Sequence, residues 1–199
     1  MDNTDTTTTE ARILSAAQKV FYRDGFDGAR MQAIAEIAGI NKALLHYYFR
    51  SKQKLFEQVL YAKMKRFIPQ ITALFSSGDP LSVKLEALVD AYLRMLSENP
   101  QLPMFILFSI HRNPAFVDKL PGGPFAIVVK QIEHEIRIGK MRPVDPAHFM
   151  ISLVSMCIFP FLGRHIASHM MGKDHDAYAM FLSERKEQIM HIVNAMMIS

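Results

Sequence analysis

Between Met31 and Phe49 the chain reads MQAIAEIAGINKALLHYYF, and residues 41 to 47 carry the chemistry that asks for a partner. Lys42 brings a cation, His46 lies one helical turn further on, and Asn41 and Tyr47 stand beside them with hydrogen-bonding groups. On one helix face, such groups reach base edges or phosphates in a major groove. Ala43 and Leu44 complete the outward row. The elements that must position this row are legible from the same stretch. Ile34, Ala35 and Ala38 share one face of a first helix, and Ala35 is small enough for a close helix crossing. Gly39 sits at a sharp turn, a position that often needs φ > 0. Ile40 then points inward, and Leu45, Tyr48 and Phe49 give the second helix its buried side. The layout is a helix-turn-helix. An ordinary αα-hairpin with a solvated polar side has the same spacing.

The flanks extend the pattern. Ile13, Leu14, Ala17, Val20 and Phe21 mark a preceding helix, with Thr7 and Glu10 as a candidate capping box and Arg23-Asp24-Gly25-Phe26-Asp27-Gly28 as its end. After the motif comes RSKQKLF, where Ser51 is a plausible N-cap for a long fourth helix with Lys52 in its first turn. A helix start offers unpaired N–H groups to a phosphate. Lys54 occupies the place a capping-box glutamate would take, so helix stability alone does not explain the choice.

The order FxxxGF, IAxxAGI, LLHYYFRSKxxLF resembles the N-terminal DNA-binding domain of the tetracycline-repressor (TetR-like) transcription regulators. The resemblance is strong over about residues 10 to 60. It continues weakly at Gly139-Lys140-Met141-Arg142-Pro143-Val144-Asp145-Pro146, which is similar to the link before that family's last two helices. Two positions depart from the family: Arg30 stands where Ser or Thr usually caps the helix starting near Met31, and His46 stands where Tyr is favoured. With the resemblance, the DNA-contact set is Arg30, Gln32, Asn41, Lys42, Ala43, Leu44, His46, Tyr47, Tyr48 and Lys52.

Charge is placed where such a reading needs it. Residues 1–66 hold 11 basic and 7 acidic side chains, whereas residues 67–199 hold 12 of each. Within residues 30–66 the balance is 8 basic to 2 acidic. One end of the molecule is therefore suited to a polyphosphate and the other is neutral. A chain of 199 residues that is 50% hydrophobic can bury a sizeable core in one or two domains. No apolar run reaches the ~18 residues of a membrane span. The polar start, MDNTDTTTTE, reads as a frayed tail over residues 1–8 rather than a targeting peptide. The single Cys157, in apolar surroundings, excludes an internal disulfide and fits a cytoplasmic protein.

The remainder reads as helices: Lys52 to Phe75 with a disturbance at Pro69, then Ser82 to Glu98, Gln101 to Arg112, Phe125 to Ile138, Ala147 to Met171, and Ala177 to Ile198. The expected fold is all-α, with a helix-turn-helix domain over 1–50 and a helical ligand-binding and dimerisation domain over 51–199. Phe149, Leu153, Met156, Phe161, Phe181, Ile189, Ile192 and Met196 are too apolar for two exposed terminal helices, so a homodimer interface is expected there. Met95, Met104, Phe105, Phe108, His111, Phe116 and Phe125 cluster on the middle helices, and the resemblance implies a small-molecule cavity among them. Such a lining selects an apolar or aromatic effector, because a charged one needs buried counter-charges, and only Arg94 and Arg112 stand near.

Enzyme chemistry has little to stand on. His165 and His169 are four apart, but Ile166 stands where a zinc protease has Glu, and no ligand set is completed. There is no P-loop, no dinucleotide glycine fingerprint and no GxSxG, and no cofactor is expected. Glu133 and Glu135 fall on different helical faces. Two readings remain: a ligand-responsive dimeric DNA-binding regulator of repressor type, or a helical dimeric ligand-binding or protein-interaction module whose basic face does not read DNA.

Overall fold

The protein is described here by a computed structural model covering residues 3–119 and 123–198, with side chains over 8–118 and 123–198. Eleven α-helices and one 3-10 helix account for nearly all of these residues, as the all-α expectation requires. The only extended pairing among them is an isolated antiparallel bridge between Met141 and Met197. The helices are α1 (Asn3–Gly28), α2 (Met31–Ala38), α3 (Lys42–Tyr48), α4 (Lys52–Ser76), α5 (Leu81–Glu98), α6 (Leu102–Arg112), α7 (Phe125–Arg137), α8 (Pro146–Leu162), α9 (Arg164–Met170), α10 (His175–Ser183) and α11 (Arg185–Met196). The 3-10 helix, Pro114–Lys119, lies between α6 and α7.

The chain forms two compact units. The first comprises Met1–Arg66 with Phe105–Pro121, and the second Phe67–Met104 with Gly122–Ser199. The boundary expected at residue 50 is therefore displaced. An aromatic cluster explains the shift: Phe56 of α4 meets Phe21 and Phe26 edge-on at 4.9 Å, and Phe105 of α6 lies 5.4 Å from Phe56 and 5.5 Å from Tyr22. The first half of α4 and most of α6 thus complete the core of the N-terminal unit.

Within that unit, Ile13, Ala17, Val20 and Phe21 of α1 are fully buried, as their period implies, while Leu14 is only half-buried. Gly25, at φ 69°, leaves the helical region and bends the chain where the glycine-rich segment suggests an end. The backbone is helical from Asn3, where the composition suggests a tail; the Thr7 side chain of the candidate capping box lies outside the described residues. Ser51 caps α4 as expected, its Oγ accepting from the Lys54 amide at 3.2 Å.

In the second unit, α5 buries Leu85, Leu88, Val89, Leu93 and Leu96. The two helices expected over 147–171 and 177–198 each break in two. Gly163 separates α8 from α9 with an 84° bend, and α10 ends at Glu184 before α11. Pro160 contributes to the first break. It has no N–H to give the Met156 carbonyl, and Arg185 Nε reaches that carbonyl instead, at 3.3 Å. Tyr178, fully buried, donates its hydroxyl to the Pro160 carbonyl at 2.7 Å. The link before α8 is held by the chain's last described residues, Arg142 N donating to Met196 O and Ile198 N to Lys140 O. No single helix among the described residues is long and apolar enough to cross a membrane.

Candidate nucleic-acid interface

The candidate recognition face is built from two short helices and a fixed turn. In α2, Ile34, Ala35 and Ala38 are buried. Gly39 ends the helix in the left-handed region, φ 66° and ψ 38°, with its N–H on Glu36 O, while Ile40 N returns to Ala35 O at 3.0 Å. A side chain at Gly39 would be strained by that φ and would also press on Arg12, 3.0 Å from the ideal Cβ position. Arg12 is a residue the sequence reading missed. From α1 its guanidinium donates to Ala38 O at 2.5 Å and approaches Gly39 O at 3.4 Å. It satisfies and neutralises the negative end of α2. A lone arginine gives no sequence signal for a partner 26 residues away.

Asn41 opens α3 in extended backbone, and its Oδ1 accepts from Leu44 N at 2.8 Å. Asn41 is thus first an N-cap, and the residue is exposed. Only Leu45 of α3 is buried, at 0% exposure. Lys42, Ala43, Leu44, His46 and Tyr47 are all exposed, Tyr47 by 81%. The outward row is therefore contiguous over the whole helix. Tyr47 meets Tyr48 edge-on at 5.7 Å. Tyr48 is half-buried and lines a cleft of about 720 Å³ with Arg50, Lys54 and Tyr61. Ile40, expected inside, is also half-buried. Arg30 precedes α2 in extended backbone without a side-chain cap, and Gln32 is exposed with its amide on Glu36 at 3.0 Å.

Lys52 is placed differently from the phosphate clamp expected of it. Its ammonium donates to the carbonyls of Asp27 and Ala29, both at 3.1 Å, and lies 4.8 Å from the Phe26 ring centre. Arg112 takes a second position 4.8 Å from the same ring centre. Two of the three Lys52 N–H bonds are spent on the end of α1, so the residue fastens α4 to α1.

The residues expected around an effector divide between the units. Phe105 and Phe116 are buried in the N-terminal unit, Phe108 is 53% exposed there, and His111 is exposed. Met95 is half-buried and Met104 exposed in the second unit. Of these residues only Phe125 lines a small, partly open apolar pocket of that unit, about 150 Å³, with Phe67, Ile71, Phe75, Tyr92 and Met150 among its neighbours. Phe105 packs against Tyr22 and Phe56 of the N-terminal unit, while Leu107, Phe108 and Val117 remain exposed. Burial pushes the Tyr92 hydroxyl up to about 12, so it remains a donor.

The expected interface residues also divide. Phe149, Leu153, Phe161 and Ile189 are buried in their own unit, whereas Met156, Phe181 and Met196 are half-buried and Ile192 is 47% exposed. The apolar surface of α8 to α10 is carried instead by Ile151, Phe159, Ile166, Met170 and Met180. Among the described residues no three His, Cys, Asp or Glu side chains are grouped to hold a metal.

Residues 13–59 match the family described as bacterial regulatory proteins, tetR family. The chain is also 30% identical over 145 residues to the HTH-type transcriptional regulator RutR of Escherichia coli strain K12, covering 71% of this chain and 68% of that one. The chain belongs to the TetR family. It is a DNA-binding transcriptional regulator and not an enzyme, which removes the alternative of a basic face unrelated to DNA. The HTH-type transcriptional repressor NicS of Pseudomonas putida is 28% identical over 177 residues, covering 83% of this chain and 82% of its own. In fold, the chain is similar to the SCO4942 protein of Streptomyces coelicolor, with a TM-score of 0.69 at 21% identity over 94% of this chain and 97% of that one.

Proposed function

We infer that this TetR-family regulator is a dimeric repressor that reads a palindromic operator with α3 and is released by a small apolar molecule. The observation that carries the reading is the division of α3, with Leu45 alone buried and Lys42, His46 and Tyr47 all outward. Lys42 and His46 read base edges, while Arg30, Gln32, Asn41, Tyr47 and Tyr48 fix the approach. One recognition helix offers too few contacts for selectivity, so two copies set their α3 helices into successive major grooves. The exposed apolar side chains of α8 to α10 supply the face on which the copies pair. The likeness to a relative named a repressor supports repression over activation. Such a protein acts in the cytoplasm, where its operator is.

The effector site is the pocket around Tyr92 and Phe125. A cavity of about 150 Å³ lined by apolar groups accepts a molecule near the size of benzene. The protonated Tyr92 hydroxyl orients one acceptor on that molecule. Release follows if ligand favours a state with lower DNA affinity. Both α4 and α6 have residues in each unit and are the covalent routes for that coupling. Selection of bound fragments from the source genome tests the reading. It should return a palindrome with half-sites one helical turn apart and binding that weakens steeply with salt. Recovery of fragments without a common motif would overturn it.

A further inference from the structure

The second unit contains a charge that the regulator's DNA reading does not use. Lys84, on the first turns of α5, is only 5% exposed. Among the described residues it has no carboxylate partner, and its one hydrogen bond, to Gln131 Oε1, is long at 3.3 Å. Gln131 cannot turn to improve it, because its amide nitrogen is fixed on Phe75 O at 2.6 Å. An ammonium buried against one neutral acceptor leaves most of its desolvation cost unmatched.

Lys84 lines an open cavity of about 1010 Å³ formed by the start of α5, the second half of α7 and the residues after α11. Lys130, His134 and Lys140 line it too. Asp79 and Glu135 are the only acids there, and Asp79 already accepts from Ser77 Oγ at 2.7 Å. The start of α5 adds to the positive field. Pro80 precedes it without a side-chain cap, and its first turn has no acidic residue. Leu81, Ile127 and Ile198 form an apolar wall beside these charges.

We propose that this cavity is a binding site for a small phosphate-type dianion, with Lys84 as its buried counter-charge and Lys130 and Lys140 as its rim. The site is separate from the apolar pocket around Tyr92, with which it shares no lining residue. The apolar wall suits an organic phosphate better than the bare ion. A dianion seated there restores the missing partner of Lys84, and charge-assisted bonds from ammonium groups hold it.

The test uses the full chain without DNA, titrated with inorganic phosphate against chloride of equal ionic strength. Phosphate should raise Tm in a saturable way, and calorimetry should give one tight class of site per chain. Lys84→Met, which keeps the volume and removes the charge, should weaken that class by at least tenfold. The double variant Lys130→Ala/Lys140→Ala, altered only at exposed side chains, should weaken it by several-fold and decides the matter if Lys84→Met does not fold. A phosphate response equal to that of chloride overturns the proposal. So does an unchanged phosphate affinity in the rim variant or in a folded Lys84→Met, which would assign the ion to the basic N-terminal face.

Discussion

The α2–α3 pair and the α8–α11 helices are both short, apolar-rich segments, yet only the first has an inside and an outside that follow simply from its sequence. In α3 one leucine is buried and the other outward residues are exposed, because a seven-residue helix rests on the unit by one side only. In α8 apolar residues point both ways: Phe149, Leu153 and Cys157 inward, Ile151 and Phe159 outward. A helix that is apolar all round needs two partners. Its periodicity cannot say which residues meet the core and which meet a second molecule. Function follows the same division. The proposed recognition face is exposed polarity held by a few local hydrogen bonds, whereas the proposed pairing face is exposed apolar surface left over after the core is filled.

The strongest way to break this comparison is to cut into both cores. Leu45→Ala and Leu153→Ala should each lower stability by about 2–5 kcal/mol in denaturant unfolding. A loss under about 1 kcal/mol at Leu153 would return that residue to the surface. Next in size is the outward side of α8. Phe159→Glu should weaken self-association roughly 100-fold or more in sedimentation equilibrium, since an unpaired charge at an interface is costly. The far-UV circular dichroism of the variant should be unchanged. A dimer of normal strength would place the pairing face elsewhere.

Lys52 sharpens the comparison on the N-terminal side. Its ammonium holds the carbonyls of Asp27 and Ala29, so Lys52→Ala should cost about 1–3 kcal/mol of stability. The salt slope of DNA binding should stay the same. A slope reduced by one unit with normal stability would restore the phosphate contact. The smallest effect at neutral pH concerns two half-buried tyrosines, one in each unit. Burial raises Tyr22 and Tyr92 from 10.0 to about 12. Below pH 10 they are protonated whether the chain is folded or not. As pH rises from 10 towards 12 the unfolded chain releases their protons first, so stability falls over that window. Tyr22→Phe and Tyr92→Phe should each flatten part of the fall in pH-dependent unfolding, and a profile unchanged by both would contradict their burial.

What the sequence made legible was local. The turn at Gly39, the cap at Ser51, the single buried leucine of α3 and the basic charge over residues 30–66 are all set by neighbours within a few positions. Long-range partners left no such trace. Arg12 serves a helix end 26 residues away, Lys52 reaches back to α1, and Phe105 joins a cluster with Tyr22 and Phe56. Nothing in the sequence marks Lys84 as buried, and its hydrogen-bond partner Gln131 is 47 residues away. The breaks at Gly163 and Glu184 fall inside stretches that the sequence reads as single helices.

The central claim is that the outward row of α3 reads sequence, and the most direct measurement compares Lys42→Ala and His46→Ala on operator and non-operator duplexes at one salt concentration. Each variant should lose about 1–3 kcal/mol on the operator and much less on the other duplex, with stability unchanged. Equal losses on both duplexes would make these residues backbone contacts and contradict the assignment of sequence reading to α3.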